Sequence, residues 1–413
     1  MPEAQAADQT ATERTSALET VHLGRQAIYD ASLQSRAYEL FYRSVEGTRA
    51  PVDADRAACS VVLSAFAELG LARVAGQKRV FLPVAHDVMS GALPLPVPPE
   101  VVVLQVRDYE HSASELARGL EQRKRDGFEV ALDGFAFDAR TAPLAGIADY
   151  LKFNVRQLGV DGLSRQLDLV APYARTTVAC RIETSAEFNA CVAAGCTLFQ
   201  GQFLFRPQLL AHKRLPKNIK TITQLLKRLR DPSVEFREIE RIVKTDPGLA
   251  AAVLRFLGSA AYALPQSVAS IAQAVSLLGL REFSKWVTVV ALTSTTERPS
   301  EISLVALTRA RASELVAGEV HGDPDAAFLV GLVSSLDALF QRPLSSLLDE
   351  LPLSDEVRSA VLEHSGLLGK ILVDVLSREE EEAAPSTRFE TGMVNRSWLD
   401  ALRWANETQA ALR

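Results

Sequence analysis

The sequence predicts an α/β domain followed by an all-α domain. Up to about residue 207, short apolar runs of strand length alternate with amphipathic segments, which is the order that builds a parallel sheet or a closed (β/α) barrel. From about residue 213, apolar residues recur at helical spacing almost to the end of the chain. The pattern alone leaves the choice between an open sheet and a barrel undecided.

Composition limits the class of protein. The chain has 413 residues, of which 47% are hydrophobic and 23% charged, enough to bury two sizeable cores. A net charge of -6 makes nucleic acid an unexpected partner. No apolar stretch approaches the ~20 residues of a membrane span, and no secretion signal opens the chain, so we expect a cytoplasmic protein. Its cysteines lack CxxC spacing and are read as structural: Cys59, Cys180, Cys191 and Cys196.

The first 19 residues are poor in large apolar side chains and are expected to form a disordered tail. Strand-like runs follow, and the first two form a hairpin around Asp30–Ser32. The runs are His22–Tyr29, Ser35–Arg43, Val80–Val84, Val101–Val106, Phe128–Leu132, Tyr150–Val155, Thr177–Cys180 and Leu198–Phe205. Helical segments between them are Asp53–Leu69, Ser112–Arg125 and Ala186–Ala194.

The second half predicts a series of helices separated by proline and glycine. They are Lys217–Arg230, Glu235–Thr245, Pro247–Ser259, Ser267–Leu278, Arg281–Ser294, Phe328–Asp337, Ala360–Leu376 and Arg396–Leu412. The core of this bundle is expected to include Leu225, Ile239, Leu254, Ile271 and Leu278. Trp398, Leu402 and Trp404 of the last helix are expected to pack on the body of the protein.

Several signatures in the first half resemble EAL domains, the cyclic diguanylate phosphodiesterase family, and they stand in the family's order. They are Arg25–Asp30 for the RQPI-type start, Glu39 for the name motif, Asp133 for the DDFG loop, Lys152 for the KID strand, Glu183–Thr184 for the AEGVET run and Gln200–Gly201 for the closing QG. The resemblance implies a modified TIM-type (β/α) barrel.

The second half resembles HDOD domains, which are helical bundles. The pattern is carried by Asp246–Pro247, the Leu-rich Leu249–Leu257, Gly258–Ala260 and Leu278–Gly279, followed by the helix Phe328–Asp337. Gly258 stands where the family usually has Asn. The resemblance implies a protein-interaction role in bacterial signalling, around motility and biofilm formation.

The EAL resemblance also implies two divalent metals held by carboxylates and an Asn. In register with the family, Glu39 and Asp133 are kept. The replaced positions are Pro83, Gln105, Gly134 and Cys180. With four oxygen ligands changed, we predict that the phosphodiesterase site is degenerate and holds no metal or cofactor. We therefore predict that the protein is not an enzyme.

Metal binding is not expected in the helical half either. Related phosphohydrolases use a His-Asp pair there, whereas His212, His321 and His364 lie without ligand spacing. The adjacent His86–Asp87 pair belongs to the first half.

The predicted organisation is a tail over 1–19, an EAL-like barrel over 20–207, an HDOD domain over 208–383 and a helical tail over 384–413. The predicted function is a non-catalytic signalling protein that acts by protein–protein interaction in cyclic diguanylate networks. Two alternatives stay open: a cyclic diguanylate receptor that does not cleave its ligand, and a residual phosphodiesterase. Arg43, Lys152 and Gln200 are the candidate ligand-binding residues. Candidate partners are other signalling proteins, a second copy of the chain and cyclic diguanylate.

Overall fold

A computed structural model describes the chain in several ranges, which form two compact units. The ranges are residues 21–44, 75–76, 78–84, 86–89, 97–107, 113–205, 300–340, 342–351, 353–379 and 388–412, with residues 95, 279, 283, 287 and 289 as single positions. Among the described residues, one unit combines those up to 205 with 374–399, and the other combines those from 279 to 373 with 400–412. The domain boundaries drawn from the sequence stay a prediction.

Eight strands close into a barrel in chain order. They are β1 Val21–Tyr29, β2 Ser35–Ser44, β3 Arg79–Pro83, β4 Val102–Val106, β5 Glu129–Leu132, β6 Tyr150–Asn154, β7 Thr176–Ile182 and β8 Leu198–Gly201. β1 runs antiparallel to β2 and β8, and the other neighbouring pairs are parallel. The predicted fold class is confirmed, and the sheet is the closed barrel that the EAL resemblance implied rather than an open sheet.

Helices of the first unit connect the strands. They are α1 His86–Met89, α2 Ala113–Arg125, α3 Ala142–Ala145, α4 Val155–Val170 and α5 Ser185–Ala193. The helix expected at Ala186–Ala194 is α5, and it begins with a capping box in which Thr184 and Glu187 each satisfy the other's backbone N–H. The amphipathic pattern missed α4, which Gly159 interrupts with a φ of 65°. The expected helix Asp53–Leu69 lies outside the described residues.

Side chains that point into the barrel form layers, because successive residues of a strand alternate between its two faces. The middle layer is apolar and fully buried: Ile28, Ala37, Phe81, Val103, Ala131 and Val178. At the amino ends of the strands, Arg79 and the Tyr150 hydroxyl both contact the Glu129 carboxylate. At the carboxyl ends, the inward positions are mainly polar. The apolar layer therefore separates two polar ends.

The outer edge of β1 is covered by residues that follow helix Gly366–Leu376. β1 pairs with β8 only through Ile28 and Tyr29. Further along β1, the Arg25 amide donates to the Arg378 carbonyl at 3.0 Å. A Cβ on Gly24 would lie 2.5 Å from that same carbonyl, so glycine is required for this close approach. The C-terminal segment thus occupies a strand edge that would otherwise present unpaired backbone groups.

The second unit and the C-terminal segment are helical where they are described. The helices are α6 Ser300–Glu319, α7 Pro324–Val333, α8 Leu336–Phe340, α9 Leu344–Glu350, α10 Asp355–Leu362, α11 Gly366–Leu376 and α12 Thr391–Leu412. Of the expected helices, Phe328–Asp337 is divided between α7 and α8. Ala360–Leu376 is divided between α10 and α11, because His364 has a positive φ of 53°. No described helix is long and apolar enough to cross a membrane.

Several predictions for the helical half fall on residues outside the described ranges. The helices expected between Lys217 and Ser294, apart from isolated positions, and the core residues Leu225, Ile239, Leu254, Ile271 and Leu278 lie outside the described residues. In α12, Trp398 and Leu402 are buried as expected, and the Trp404 ring lies edge-on to Phe328 with a centroid distance of 6.4 Å.

Two leucines of α4 test which face of this helix is buried. Leu163 is fully buried, whereas Leu169 is 48% exposed. We expect Leu163→Ala to lower the free energy of unfolding by about 2–5 kcal/mol, since it removes packed methyl groups. Leu169→Ala should change it by less than about 0.5 kcal/mol. Urea denaturation of both variants measures the difference, and equal losses would contradict the orientation of α4.

Candidate functional site

Polar side chains from five strands meet at the carboxyl end of the barrel. We call this set, with the arginine that covers it, the barrel-end cluster: Glu39, Gln105, Arg107, Asp133, Lys152 and Gln200. Alternation places its strand residues on the inward face, one step above the apolar layer. In (β/α) barrels this is the end at which active sites are found.

Glu39 is the centre of the cluster, and N–H donors surround its carboxylate. Oε1 accepts from Gln105 Nε2 at 2.5 Å and from Arg107 at 3.2 Å. Oε2 accepts from Lys152 Nζ at 2.8 Å and from Gln200 Nε2 at 2.5 Å. A carboxylate has about four lone-pair sites, so the acceptor capacity of Glu39 is used.

Asp133 follows β5 and shares two of these donors. Its Oδ2 accepts from Gln105 Nε2 at 3.0 Å and from Arg107 Nε at 2.9 Å. Its Oδ1 accepts from the Gly134 amide at 3.1 Å and lies 3.7 Å from Lys152 Nζ. Gly134 has a φ of 65°, a conformation that favours glycine, which gives a backbone reason for the residue at this replaced position.

Lys152 reaches Glu39 across the interior of the barrel. β6 carries Lys152 and β2 carries Glu39, and these strands are four positions apart in either direction around the ring. Lys152 is 1% exposed, and its ammonium also donates to Gln105 Oε1 at 2.9 Å. Below it lies the Phe81 ring of the apolar layer, with a centroid distance of 5.9 Å. The ammonium is thus enclosed by carboxylates, an amide and an aromatic face.

The charges determine the protonation states of the cluster. Burial alone would raise the pKa of Glu39, but the positive charges of Lys152 and Arg107 outweigh it and lower this pKa to about 2. Burial alone would lower the pKa of Lys152, but Asp133 and Glu39 outweigh it and raise it above its ordinary value. Both groups are therefore charged at neutral pH.

The positions that depart from the EAL pattern lie at the same end of the barrel. Pro83 ends β3 opposite Gln105 of β4. Gln105 replaces a carboxylate with an amide that donates to both remaining carboxylates. Cys180 lies in β7 and its thiol donates to the Phe153 carbonyl at 3.2 Å. Burial raises the pKa of Cys180 to about 12, so its sulfur is a neutral thiol rather than a metal-binding thiolate.

The donor set can be tested against the two divalent metals that the EAL resemblance implies. Among the described residues, no group of three or more His, Cys, Asp or Glu side chains could hold a metal ion. Glu39 and Asp133 offer carboxylate oxygens, but an ammonium and an amide N–H already bind them. A protein site for hard divalent cations is built from oxygen ligands. The residues present therefore do not fit a two-metal centre.

Two residues that contribute to the site, one in the cluster and one beside it, were not predicted from the sequence to be site residues. Arg107 bonds both carboxylates, and the Gln26 side chain accepts from Gln200 Nε2 at 2.9 Å. A signal existed for Arg107: it stands two residues after Gln105, so alternation puts both on one face. Of the candidate ligand-binding residues, Lys152 and Gln200 are in the cluster, and Arg43 lies in β2 opposite His22. Their ligand-binding role stays a prediction.

Comparisons with known proteins give matches in both halves of the chain. Residues 215–343 match the family model of the HDOD domain. Over 401 residues, 94% of this chain and 93% of the relative, the sequence is 27% identical to the protein named cyclic di-GMP phosphodiesterase CdgJ from Vibrio cholerae serotype O1. It is 28% identical to the uncharacterized protein YuxH of Bacillus subtilis, over 95% of this chain and 99% of YuxH.

A solved structure similar to the barrel is the c-di-GMP-bound standalone EAL protein from Vibrio cholerae O395. It is 18% identical, covers 44% of this chain and 89% of its own, and superposes with a TM-score of 0.36.

The prediction that the protein is not an enzyme is wrong by this comparison, because CdgJ is named a phosphodiesterase and aligns along nearly the whole chain. That prediction came from counting oxygen ligands against a family pattern. Such a count overlooks other sources of positive charge, since guanidinium and ammonium groups can also stabilise developing negative charge. The cluster contains one of each.

The pKa of Glu39 gives a test by pH. Glu39→Gln removes the charge partner of buried Lys152 and should cost about 3–5 kcal/mol of unfolding free energy at neutral pH. The carboxylate titrates at 4.5 when unfolded and at about 2 when folded, so its stabilising contribution is present above pH 4.5 and is lost as the pH falls towards 2. The stability difference between wild type and Glu39→Gln should therefore narrow over this window.

Urea denaturation at several pH values measures that difference. Glu121→Gln, at an exposed carboxyl of α2, is the control and should stay within about 0.5 kcal/mol of wild type. A Glu39→Gln difference that is constant from pH 6 to pH 3 would contradict the ion pair.

Proposed function

We propose that this protein takes part in cyclic diguanylate signalling and that the barrel-end cluster binds cyclic diguanylate. The observation that carries the proposal is the collection of Glu39, Asp133, Lys152 and Arg107 at the carboxyl end of the barrel. Ligands of (β/α) barrels bind at this end. The name of the relative CdgJ and the order of the EAL signatures give the ligand class.

Charge at the barrel end supports binding of an anion. The two carboxylates and two cations of the cluster sum to zero, so the site does not repel a phosphodiester. Arg107 is 40% exposed, whereas Lys152 is sealed inside. A guanidinium group suits phosphate because its N–H donors form a planar fork. We therefore assign the phosphate contact to Arg107 at the mouth of the barrel.

The Gln200 side chain also supports a binding site, because one of its polar atoms is left for a ligand or a water to bond. Gln200 is 3% exposed and uses its Nε2 on Gln26 and Glu39. Its Oε1 is buried and has no hydrogen-bond partner among the residues that the structure describes. A buried acceptor without a donor costs free energy, and a donor group from a ligand or an ordered water would recover that free energy.

Hydrolysis of the bound dinucleotide is the second candidate function. It is favoured by the name of CdgJ and by the two carboxylates that are kept, Glu39 and Asp133. A release assay for the linear dinucleotide, with Mg²⁺ or Mn²⁺ supplied, tests it. Turnover that is lost in a folded Glu39→Gln variant would support an enzyme, and no turnover by wild type would contradict this candidate.

For the helical half we propose contacts with other signalling proteins, or with a second copy of this chain. The HDOD match over residues 215–343 supports this role, which the family resemblance implies. Size-exclusion chromatography with light scattering, with and without cyclic diguanylate, separates self-association from a monomer that needs another partner.

Binding is tested by calorimetric titration of the full chain with cyclic diguanylate. We expect saturable binding that Arg107→Glu weakens at least about tenfold, since the change takes the cluster from neutral to a net charge of −2 beside the phosphates. The matched control is Arg36→Glu, at an exposed arginine that pairs with Asp30 at the other end of the barrel. Equal effects of both changes, or no binding by wild type, would overturn the proposal.

A further inference from the structure

The Lys152 ammonium lies between the two carboxylates of the barrel-end cluster. Nζ lies 2.8 Å from Glu39 Oε2 and 3.7 Å from Asp133 Oδ1, between carboxylates that come from β2 and from the end of β5. The group is 1% exposed, so water does not share in neutralising these charges. A divalent cation shared by the same two carboxylates would have to occupy this volume.

We propose that Lys152 is the resident cation of the barrel end, holding by its ammonium group the place between Glu39 and Asp133 that a divalent metal would take. The proposal deepens the proposed function, on which it rests for the nature of the ligand. It follows from the misfit between the donor set and a metal centre.

The other contacts of the cluster match an ammonium better than a metal. Glu39 is fully occupied by N–H donors, and two of these come from the side-chain amides of Gln105 and Gln200. An amide N–H can donate to a carboxylate but cannot ligate a metal. Gln105 also turns its carbonyl to Lys152 at 2.9 Å, so one side chain serves both the carboxylates and the ammonium.

The charge balance gives the same result. Lys152 and Arg107 already cancel Glu39 and Asp133. Before a dinucleotide binds, a divalent ion added to these four groups would give the cluster a net charge of +2 and would place that ion next to a buried ammonium, and like charges in a region of low dielectric repel strongly. Lys152 therefore excludes the metal both by volume and by charge. As a consequence, the affinity for cyclic diguanylate should be the same in EDTA and in Mg²⁺.

The test is a titration of the full chain with Mn²⁺ alone, followed by electron paramagnetic resonance, which separates bound from free Mn²⁺. Wild type should show no stoichiometric site that depends on Glu39. Lys152→Met, which keeps length but removes charge, should gain one site per chain, because two carboxylates are then left without their inner cation. The double variant Lys152→Met/Glu39→Gln should lose it. Lys124→Met, at a partly exposed lysine paired with Asp149, is the control and should behave as wild type.

A stoichiometric Mn²⁺ site in wild type that is lost in Glu39→Gln or in Asp133→Asn would overturn the proposal. So would a folded Lys152→Met variant that binds no Mn²⁺. If Lys152→Met does not fold, as judged by circular dichroism, the comparison of wild type with Asp133→Asn decides, because Asp133 is partly exposed at the mouth.

Dinucleotide titrations in EDTA and in Mg²⁺ complete the experiment. Equal affinities support the resident cation, and binding that needs Mg²⁺ contradicts it. Absence of binding in both buffers would refute the proposed function, and the Mn²⁺ result, which involves no dinucleotide, would still decide the role of Lys152.

Discussion

The ion pair of Lys152 and Glu39 joins two strands that face each other across a closed barrel. Burying two charges is costly, and their mutual attraction compensates only when their remaining donors and acceptors are also satisfied. Gln105 and Gln200 help to meet that condition, because the Gln105 amide donates to Oε1 of Glu39 and the Gln200 amide donates to Oε2 beside Lys152. The two glutamines therefore help to stabilise the buried ion pair through their hydrogen bonds.

The ion pair depends in turn on the apolar layer beneath it. Phe81, Val103 and Val178 fill the interior below the cluster, so water does not reach the charges from the amino ends of the strands. The Arg79, Glu129 and Tyr150 contacts close that opposite end. Since Arg107 is exposed and Asp133 is partly exposed, a ligand at this end would contact these two residues first, while Lys152 and Glu39 contribute their charges from the interior.

Much of the barrel could be predicted from sequence, because its strands are short buried runs between turn signals. The strand at Tyr150 was placed within one residue at its end, whereas the last strand ends at Gly201 rather than Phe205. Apolar residues continue past Gly201, so hydrophobicity could not locate that end. The break between α10 and α11 was missed for a related reason: the positive φ angles of His364 and Gly366 leave no mark in the apolar spacing.

The candidate site was harder to predict, because its partners are far apart in sequence. Glu39 and Lys152 are separated by 113 residues, and only the order of family signatures brought them together in advance. A comparison with the family pattern showed that Gln105 replaces a carboxylate. It did not show that the Gln105 amide bonds two carboxylates and a lysine, because those contacts depend on the register of β4 against β3 and β5.

The C-terminal segment of the barrel unit extends this network to the backbone of β1. The Arg378 carbonyl accepts from the Arg25 amide, and the Glu379 carbonyl accepts from the Gln202 side chain at 3.3 Å. The next residue of β1 is Gln26, whose side chain holds Gln200 against Glu39. Hydrogen bonds therefore connect residues 378–379, through β1 and the Gln26 side chain, to one of the amides that donate to Glu39. Because loss of a hydrogen bond to the buried Glu39 carboxylate is costly, the position of residues 378–379 and the geometry of the barrel-end cluster depend on each other.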